Sequence, residues 1–332
     1  MPRYPGNFQR FANRVFDGRQ RSVQIELGTY SFPLFVYSYS SRGFSDLSER
    51  YLATRNLVPV PLVSLYDLHY HLSCSGMPGA LEVTAAIRFF DSGRYETEGL
   101  ADTPGFHEPP GKHPWSEELY IESAKNTVCA GDVLVSYDDR SLSLVDQVKQ
   151  SLVLFERTEL QGIKQDLLLH PNGTPPDELA EVIIDLAPDI DIIGLTEKDI
   201  GFPWFITASY IRQLRTKLDS TLGRYIPIHI FGCFDPQTIP YLFFSGADIF
   251  DGLSWMRYYF RDGHSFYYKE FEYDTQLEYL LDSEEAMRNL LGHNVEELER
   301  LRADLQYSVL TRDLSQFELC LENLQAFELA TS

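Results

Sequence analysis

From residue 132 onward the chain repeats one unit: a short apolar run, a polar tip, and then a longer amphipathic segment. The runs are DVLVSYDD (132–139), DLLLHPNG (166–173), DIIGLTEKD (191–199), IHIFGCFD (228–235) and ADIFDG (247–252). Between them, SLVDQVKQSLVLFER, PPDELAEVIIDLA and WFITASYIRQLRTKLDS carry apolar residues at helical spacing, while PQTIPYLFFSG leaves room only for a tight crossover. Strands that alternate with helices run parallel, because each crossover returns the chain to the same starting edge. Five such units in succession, with ELGTYSFPLFVYS, VPVPLVSLYDL and TAAIRFFDSG supplying the first strands, favour closure into a (β/α)8 TIM barrel of the α/β class. A doubly wound open sheet is the alternative, but no G-x-G-x-x-G follows any strand.

After residue 255 the pattern changes. YYFRDGHSFYYKEFEY is aromatic and strand-like or irregular, and DSEEAMRNLLGHNVEELERLRADLQYSV and SQFELCLENLQAFEL read as two amphipathic helices, the first starting near Ser283. The expected organisation is a barrel domain over 1–262 and an aromatic and helical subdomain over 263–332, a C-terminal helical appendage packed on the barrel.

With 332 residues, 44% of them hydrophobic, the chain can bury a large core. A net charge of −21 argues against a surface coated for general nucleic-acid binding, which needs Lys and Arg against phosphate. The charge is unevenly placed: residues 1–60 hold eight Arg against four acids, and residues 270–332 hold fifteen acids against four Arg. A polyanion contact near the N-terminus stays open, and the acidic tail reads as a solvated helical face. MPRYPGNFQRF has no apolar signal-like stretch and no apolar run is long enough to span a bilayer, so a soluble, cytoplasmic protein without membrane contact is expected. Cys74, Cys129, Cys233 and Cys320 lie far apart without a C-x-x-C and are expected to be buried thiols.

In a barrel the chemistry collects at the C-terminal ends of the strands. Here those ends carry Asp91, Asp138 with Asp139, His170 with Asn172, Thr196 with Glu197, Asp235 and Asp251. On residue chemistry alone Asp91, in FFDSG, is either a turn cap or a functional carboxylate. His69 in LHYH is expected to be a packing residue, together with His71, and the Pro- and Gly-rich TPGFHEPPGKHPW, with His107 and His113, resembles a lid or contact loop.

Several segments together resemble the tRNA-guanine transglycosylase superfamily, which exchanges guanine in a nucleic acid for a 7-deazaguanine base. LGTYSFPLFVYSYSSRG (27–43) is similar to its opening strand, FFDSGRYE (89–96) to Asp-Ser-Gly-Gly-Tyr/Phe-Gln, VSYDD (135–139) to Phe-Asp-Glu and IIGL (192–195) to Gly-Gly-Leu. IHIFGCFDPQTIPYLFFSGADIFDG (228–252) resembles the segment ending in Gly-x-Asp-x-Phe-Asp, and LLGHNVEELERLR (290–302) the His-Asn-Leu helix. The six stand in the family's order. The resemblance implies that Asp251 is the nucleophile, Asp91 the general acid/base, Tyr95 the face on which the base stacks, and Ser92, Asp138, Gly194 and Leu195 groups that bind the base. It implies tRNA or DNA and a 7-deazaguanine base of the preQ1, preQ0 or queuine type as partners, pairing into a homo- or hetero-oligomer, and no cofactor. These residue types suit the chemistry: one carboxylate can trap an oxocarbenium-like C1′ while a second moves the proton of the departing and incoming bases.

The chain also departs from the pattern. KEFEYDTQLEYLLDSEEAMRN contains no cysteine ahead of His293 and Asn294, so no structural zinc is expected and His293 reads as a hydrogen-bonded structural residue. Arg94 replaces the second Gly of Asp-Ser-Gly-Gly, Glu96 replaces Gln, and TEKD follows IIGL. LHPNG stands where the family has a base-reading glutamine, so that Asn172 either substitutes for it or forms a turn. These departures suit a divergent branch, including one acting on DNA. Two other functions compete: a non-catalytic subunit that binds nucleic acid or an active partner, and an unrelated carboxylate-pair hydrolase of glycosides or nucleosides.

Overall fold

The structure is a computed structural model that describes residues 5–42, 44, 47–70, 87–97, 113–201, 203–271 and 283–331. Expectations for Cys74, His71 and His107 lie outside the described residues. Eight parallel strands close into a barrel: β3 (Leu34–Tyr39), β4 (Pro61–Ser64), β5 (Phe89–Asp91), β6 (Val133–Val135), β7 (Lys164–Leu169), β8 (Ile192–Thr196), β9 (Ile228–Phe231) and β10 (Ile249–Gly252), with β10 pairing back onto β3. The short hairpin β1 (Glu26–Leu27) and β2 (Tyr30–Ser31) precedes the first barrel strand.

Helices follow the strands as the spacing predicts. They include α6 (Leu144–Thr158), α7 (Pro176–Leu186) and α9 (Trp204–Thr221), with α10 (Ile239–Ser245) as the tight crossover. Local chemistry starts them: the Ser143 hydroxyl accepts from the Asp146 N–H, and Pro176 opens α7, where a missing N–H costs nothing. The aromatic stretch after the barrel is a hairpin, β11 (Tyr258–Arg261) and β12 (His264–Tyr267), turned at Asp262-Gly263 with both residues at positive φ. The helices Ser283–Thr311 and Glu318–Thr331 end the chain.

Composition marks the N-terminal stretch only as basic, and the structure makes it α1 (Pro5–Val23), with Phe11, Ala12 and Phe16 buried on one face. This helix packs on Ser283–Thr311, α10 and Glu318–Thr331. Arg14 and Arg212 both pair with Glu328, at 2.7 and 2.8 Å, and Arg312 pairs with Asp17. Part of the N-terminal positive charge is thus spent on the acidic tail.

Period-two alternation sorts each strand. Phe35, Tyr37, Phe90, Leu134, Leu167, Leu169, Ile193, Leu195, Ile230 and Phe250 point outward under the helices, in one cluster with Leu291, Leu298, Leu305, Leu321 and Leu324 of the C-terminal helices. Leu34, Val36, Leu62, Phe89, Val133, Val135, Leu168, Ile192, Phe231 and Ile249 fill the barrel. Cys233 and Cys320 are buried thiols, whereas Cys129 is exposed, in the polar turn before β6. Among the described residues no helix is long and apolar enough to cross a membrane.

Candidate functional site

The inward alternation continues past the apolar layer into polar residues at the C-terminal mouth: Ser38 two beyond Val36, Asp91 two beyond Phe89, His170 two beyond Leu168, and Asp251 two beyond Ile249. These line a cavity of about 330 Å³ together with Ser40, Ser92, Tyr95, Glu96, Asp138, Arg140, Thr196, Glu197, Lys198, Phe231 and Arg257. Asp91 and Asp251, 160 positions apart, meet there because β5 and β10 are the third and eighth strands of one closed cylinder.

The Asp251 carboxylate is held from two sides, accepting from Ser38 Oγ at 2.5 Å and from the Gly232 N–H at 3.1 Å. Asp91 is partly exposed into the cavity. Burial, then the charges of Glu96, Asp138 and Asp251, push its carboxyl well above the usual carboxylate range. Asp91-Ser92-Gly93 is both turn and site. Gly93 sits at φ +83°, and a Cβ there would lie 2.5 Å from Tyr66 Cβ, so the turn admits only glycine. Ser92 Oγ donates to Asp138 Oδ1 at 2.7 Å.

Tyr95, on the single turn α4 (Arg94–Thr97), is 38% exposed, with the Arg42 guanidinium 4.8 Å from its ring centre. Arg94 is not among the lining residues; its Nε donates to the Asp138 carbonyl at 3.0 Å, tying α4 to the tip of β6. Glu96 does line the cavity. It accepts from Ser40 Oγ at 2.6 Å and Ser64 Oγ at 2.9 Å, and burial, then Asp67, push its carboxyl up to about 8. Burial chiefly, with Asp91 adding to it, raises Asp67 to about 6.

His170 is the residue that sequence reasoning passed over in favour of Asn172. Its ring is buried between two carboxylates, with Nε2 2.9 Å from Asp138 Oδ2 and Nδ1 2.5 Å from Asp199 Oδ2, and these hydrogen bonds raise its pKa against the opposing effect of burial. Thr196 also bonds Asp199, so the TEKD stretch holds this histidine and lends Glu197 and Lys198 to the wall. Asn172 is instead an exposed turn residue at φ +50°, donating to the Arg140 carbonyl at 3.2 Å. The alternation Asp166-Leu168-His170 carried the signal for His170.

Two other expected base-binding residues lie away from the cavity lining. Leu195 points outward into the helix-facing core, because its neighbour Gly194 takes the inward direction. Gly194 sits lower in the barrel, where a Cβ would meet the Phe231 ring at 2.7 Å and Asp166 Oδ1 at 2.8 Å. Its absent side chain makes room within the barrel.

Asp248, three residues before Asp251, has a different setting. It is fully buried and accepts from Arg19 at 2.5 Å, Arg215 at 2.6 Å, Ser22 at 2.6 Å, Tyr225 at 2.6 Å and the Ile228 N–H at 2.9 Å. Burial raises its carboxyl, but the two guanidinium groups and hydrogen bonds outweigh that and hold it below the usual range. His69, at the end of α3 (Leu65–His69), bonds Ser123 Oγ at 2.9 Å, and His113 stacks on Tyr70. His293 Nε2 donates to the Phe260 carbonyl at 2.8 Å, and Asn294 accepts from the Phe260 N–H while donating to the Trp255 and Tyr258 carbonyls. The His-Asn pair therefore clamps the β11 hairpin to the long helix. Among the described residues, no group of three or more His, Cys, Asp or Glu side chains is arranged to hold a metal ion.

No protein-family model matches the sequence, and among curated proteins none matches it. The resemblance to the transglycosylase superfamily rests on short motifs alone.

Proposed function

We propose that the protein is a transglycosylase that exchanges guanine in tRNA or DNA for a 7-deazaguanine base through a covalent aspartyl-ribosyl intermediate. The observation that carries this reading is the convergence of Asp91, Ser92, Tyr95, Asp138 and Asp251, from three separate motifs, on one cavity at the barrel mouth. Asp251 attacks C1′, forming an ester bond to the ribose as the glycosidic bond breaks and its electron pair leaves with guanine. Asp91 gives the departing base its proton; burial and the neighbouring carboxylates, which push its carboxyl well above the usual range, favour the protonated form. The incoming base returns a proton to Asp91, bonds to C1′ and frees Asp251.

Asp138 reads the base. Ser92 and His170 occupy one direction on each of its oxygens, leaving acceptor capacity for a donor–donor edge such as N1–H and the exocyclic amine of guanine. Tyr95 and Phe231 supply apolar faces for a base removed from its stack. Nucleic acid would approach a mouth that carries Arg140, Lys198 and Arg257, cations that suit phosphate although the chain is acidic overall.

The test is exchange of labelled guanine into tRNA and into duplex DNA, with trapping of a protein–nucleic acid adduct. The reading expects exchange and an adduct for the unaltered chain and neither for Asp251→Ala. Equal exchange by both proteins would refute it.

A further inference from the structure

Beneath the cavity floor the barrel holds two ionisable groups that the reaction above does not use. Asp166 of β7 and His229 of β9 are both wholly buried, with His229 Nδ1 2.6 Å from Asp166 Oδ2. The imidazole lies against the Phe231 and Phe89 rings, with centroids 3.8 and 5.6 Å away. Its other nitrogen, Nε2, is 3.4 Å from Asp251 Oδ1, slightly beyond a good hydrogen bond, and makes no hydrogen bond elsewhere. Gly194 of β8 makes the arrangement fit, since any Cβ there would press on Asp166 Oδ1.

A layer normally filled by Val, Ile or Leu has no structural need for a buried ion pair, which an apolar pair of similar volume replaces at little or no cost in stability. The pair is aimed at one oxygen of the nucleophile. We infer that Asp166 and His229 form a positioning pair for Asp251: His229, held by Asp166, anchors one oxygen of the Asp251 carboxylate and turns the group toward the sugar. This inference rests on the transglycosylase reading of the cavity. Two acids that share a cavity do not ionise equally well, and the protein must decide which one keeps a proton. Asp91 is crowded by other carboxylates, whereas Asp251 faces the imidazolium.

The charged groups acting on His229 are Asp166 from β7 and Asp251 from β10; β5 and β8 present Phe89 and Gly194, and β9 itself presents Phe231. Burial opposes the imidazolium, but the two carboxylates outweigh it and push His229 up to about 9. When Asp251 becomes an ester, its negative charge disappears and Asp166 with His229 remains a neutral pair. No proton has to cross the floor during the step.

The experiment follows the ring nitrogens of the full chain, labelled with ¹⁵N-histidine, across a pH titration, with the His229 signal assigned by its loss in His229→Gln. The expected result is a doubly protonated ring at neutral pH that loses a proton near pH 9, with the transition moved lower in Asp251→Asn and in Asp166→Asn. In the exchange assay, His229→Gln and Asp166→Asn lower kcat by about 100-fold, leave KM for the base within about twofold, and move the acid limb of the rate profile to higher pH. A neutral His229 ring at neutral pH, or an acid limb unmoved in both variants, overturns the inference. If the titration is as expected but the unaltered chain exchanges no base, the transglycosylase reading fails and the coupling of His229 to Asp251 stands.

Discussion

At the N-terminal end of the barrel, Asp248 is enclosed by Arg19, Arg215, Tyr225, Ser22 and a backbone N–H. At the opposite mouth, Asp67, Asp91, Glu96 and Asp138 crowd one another, and Ser40, Ser41, Ser64 and Ser92 hydroxyls reach three of them. Both ends bury carboxylates, but one meets the charge with two guanidinium groups and the other meets Asp67 and Glu96 with hydroxyl and backbone donors. A hydroxyl that satisfies a lone pair lowers a carboxyl pKa less than a cation does, and here burial outweighs it. The lower end therefore holds the fold together, while at the upper end Glu96, pushed up to about 8, and Asp67, pushed up to about 6, exchange protons near neutral pH, as acid–base chemistry requires.

The largest expected effect separates these ends with one isosteric change at each. Asp251→Asn is expected to lower base exchange by about 10⁴-fold or more, because the proposed nucleophile is lost, at a smaller stability cost than at Asp248, since the partners of Asp251 are a hydroxyl, a backbone N–H and one imidazole and not two guanidinium groups. Asp248→Asn is expected to cost about 3–5 kcal/mol in urea unfolding, since it leaves two buried arginines undercompensated, while the folded fraction keeps its exchange rate. Reversed outcomes would break the comparison.

Next in size is stacking: Tyr95→Ala is expected to weaken binding of the base or nucleic acid by about 1–3 kcal/mol, read as a rise in KM, with Tyr95→Phe close to unaltered.

A pH experiment sharpens the contrast further. Glu96 is raised on folding from 4.5 to about 8, so the stability linked to it is fully present below the lower value and is lost as pH rises through the higher one. Asp248 is lowered on folding, so its contribution is present above the ordinary Asp value and lost as pH falls through the folded one. Glu96→Gln should therefore flatten the decline in urea midpoints between pH 4.5 and about 8 and leave the acid decline in place.

The smallest expected effect is at Asn172→Gly, which keeps the positive φ and should change both exchange and stability by less than about 0.5 kcal/mol. A large loss of exchange there would return Asn172 to the site.

Much of the barrel was legible because its signals are local. Apolar runs of strand length, polar tips and amphipathic segments recur in order, and Asp91, Ser92, Tyr95, Asp138 and Asp251 sit at strand ends where barrel geometry collects side chains. Leu195 was misplaced because motif resemblance outweighed the alternation that turns it outward beside an inward Gly194. Asn172 was preferred to His170 because both sit in one turn, and burial distinguishes them only when Asp138 and Asp199 close on the ring. The helical character of α1 was hidden behind its arginines, whose partners Asp248 and Glu328 lie more than 200 residues away.

The order of strands and helices, the closed sheet and the kinds of residue at the mouth were determined by the sequence itself, since periodicity and turn chemistry act between near neighbours. Which carboxylate is neutralised and which is left to crowd its neighbours was decided only by the tertiary structure. Charges several strands apart interact strongly only when the fold removes the water between them.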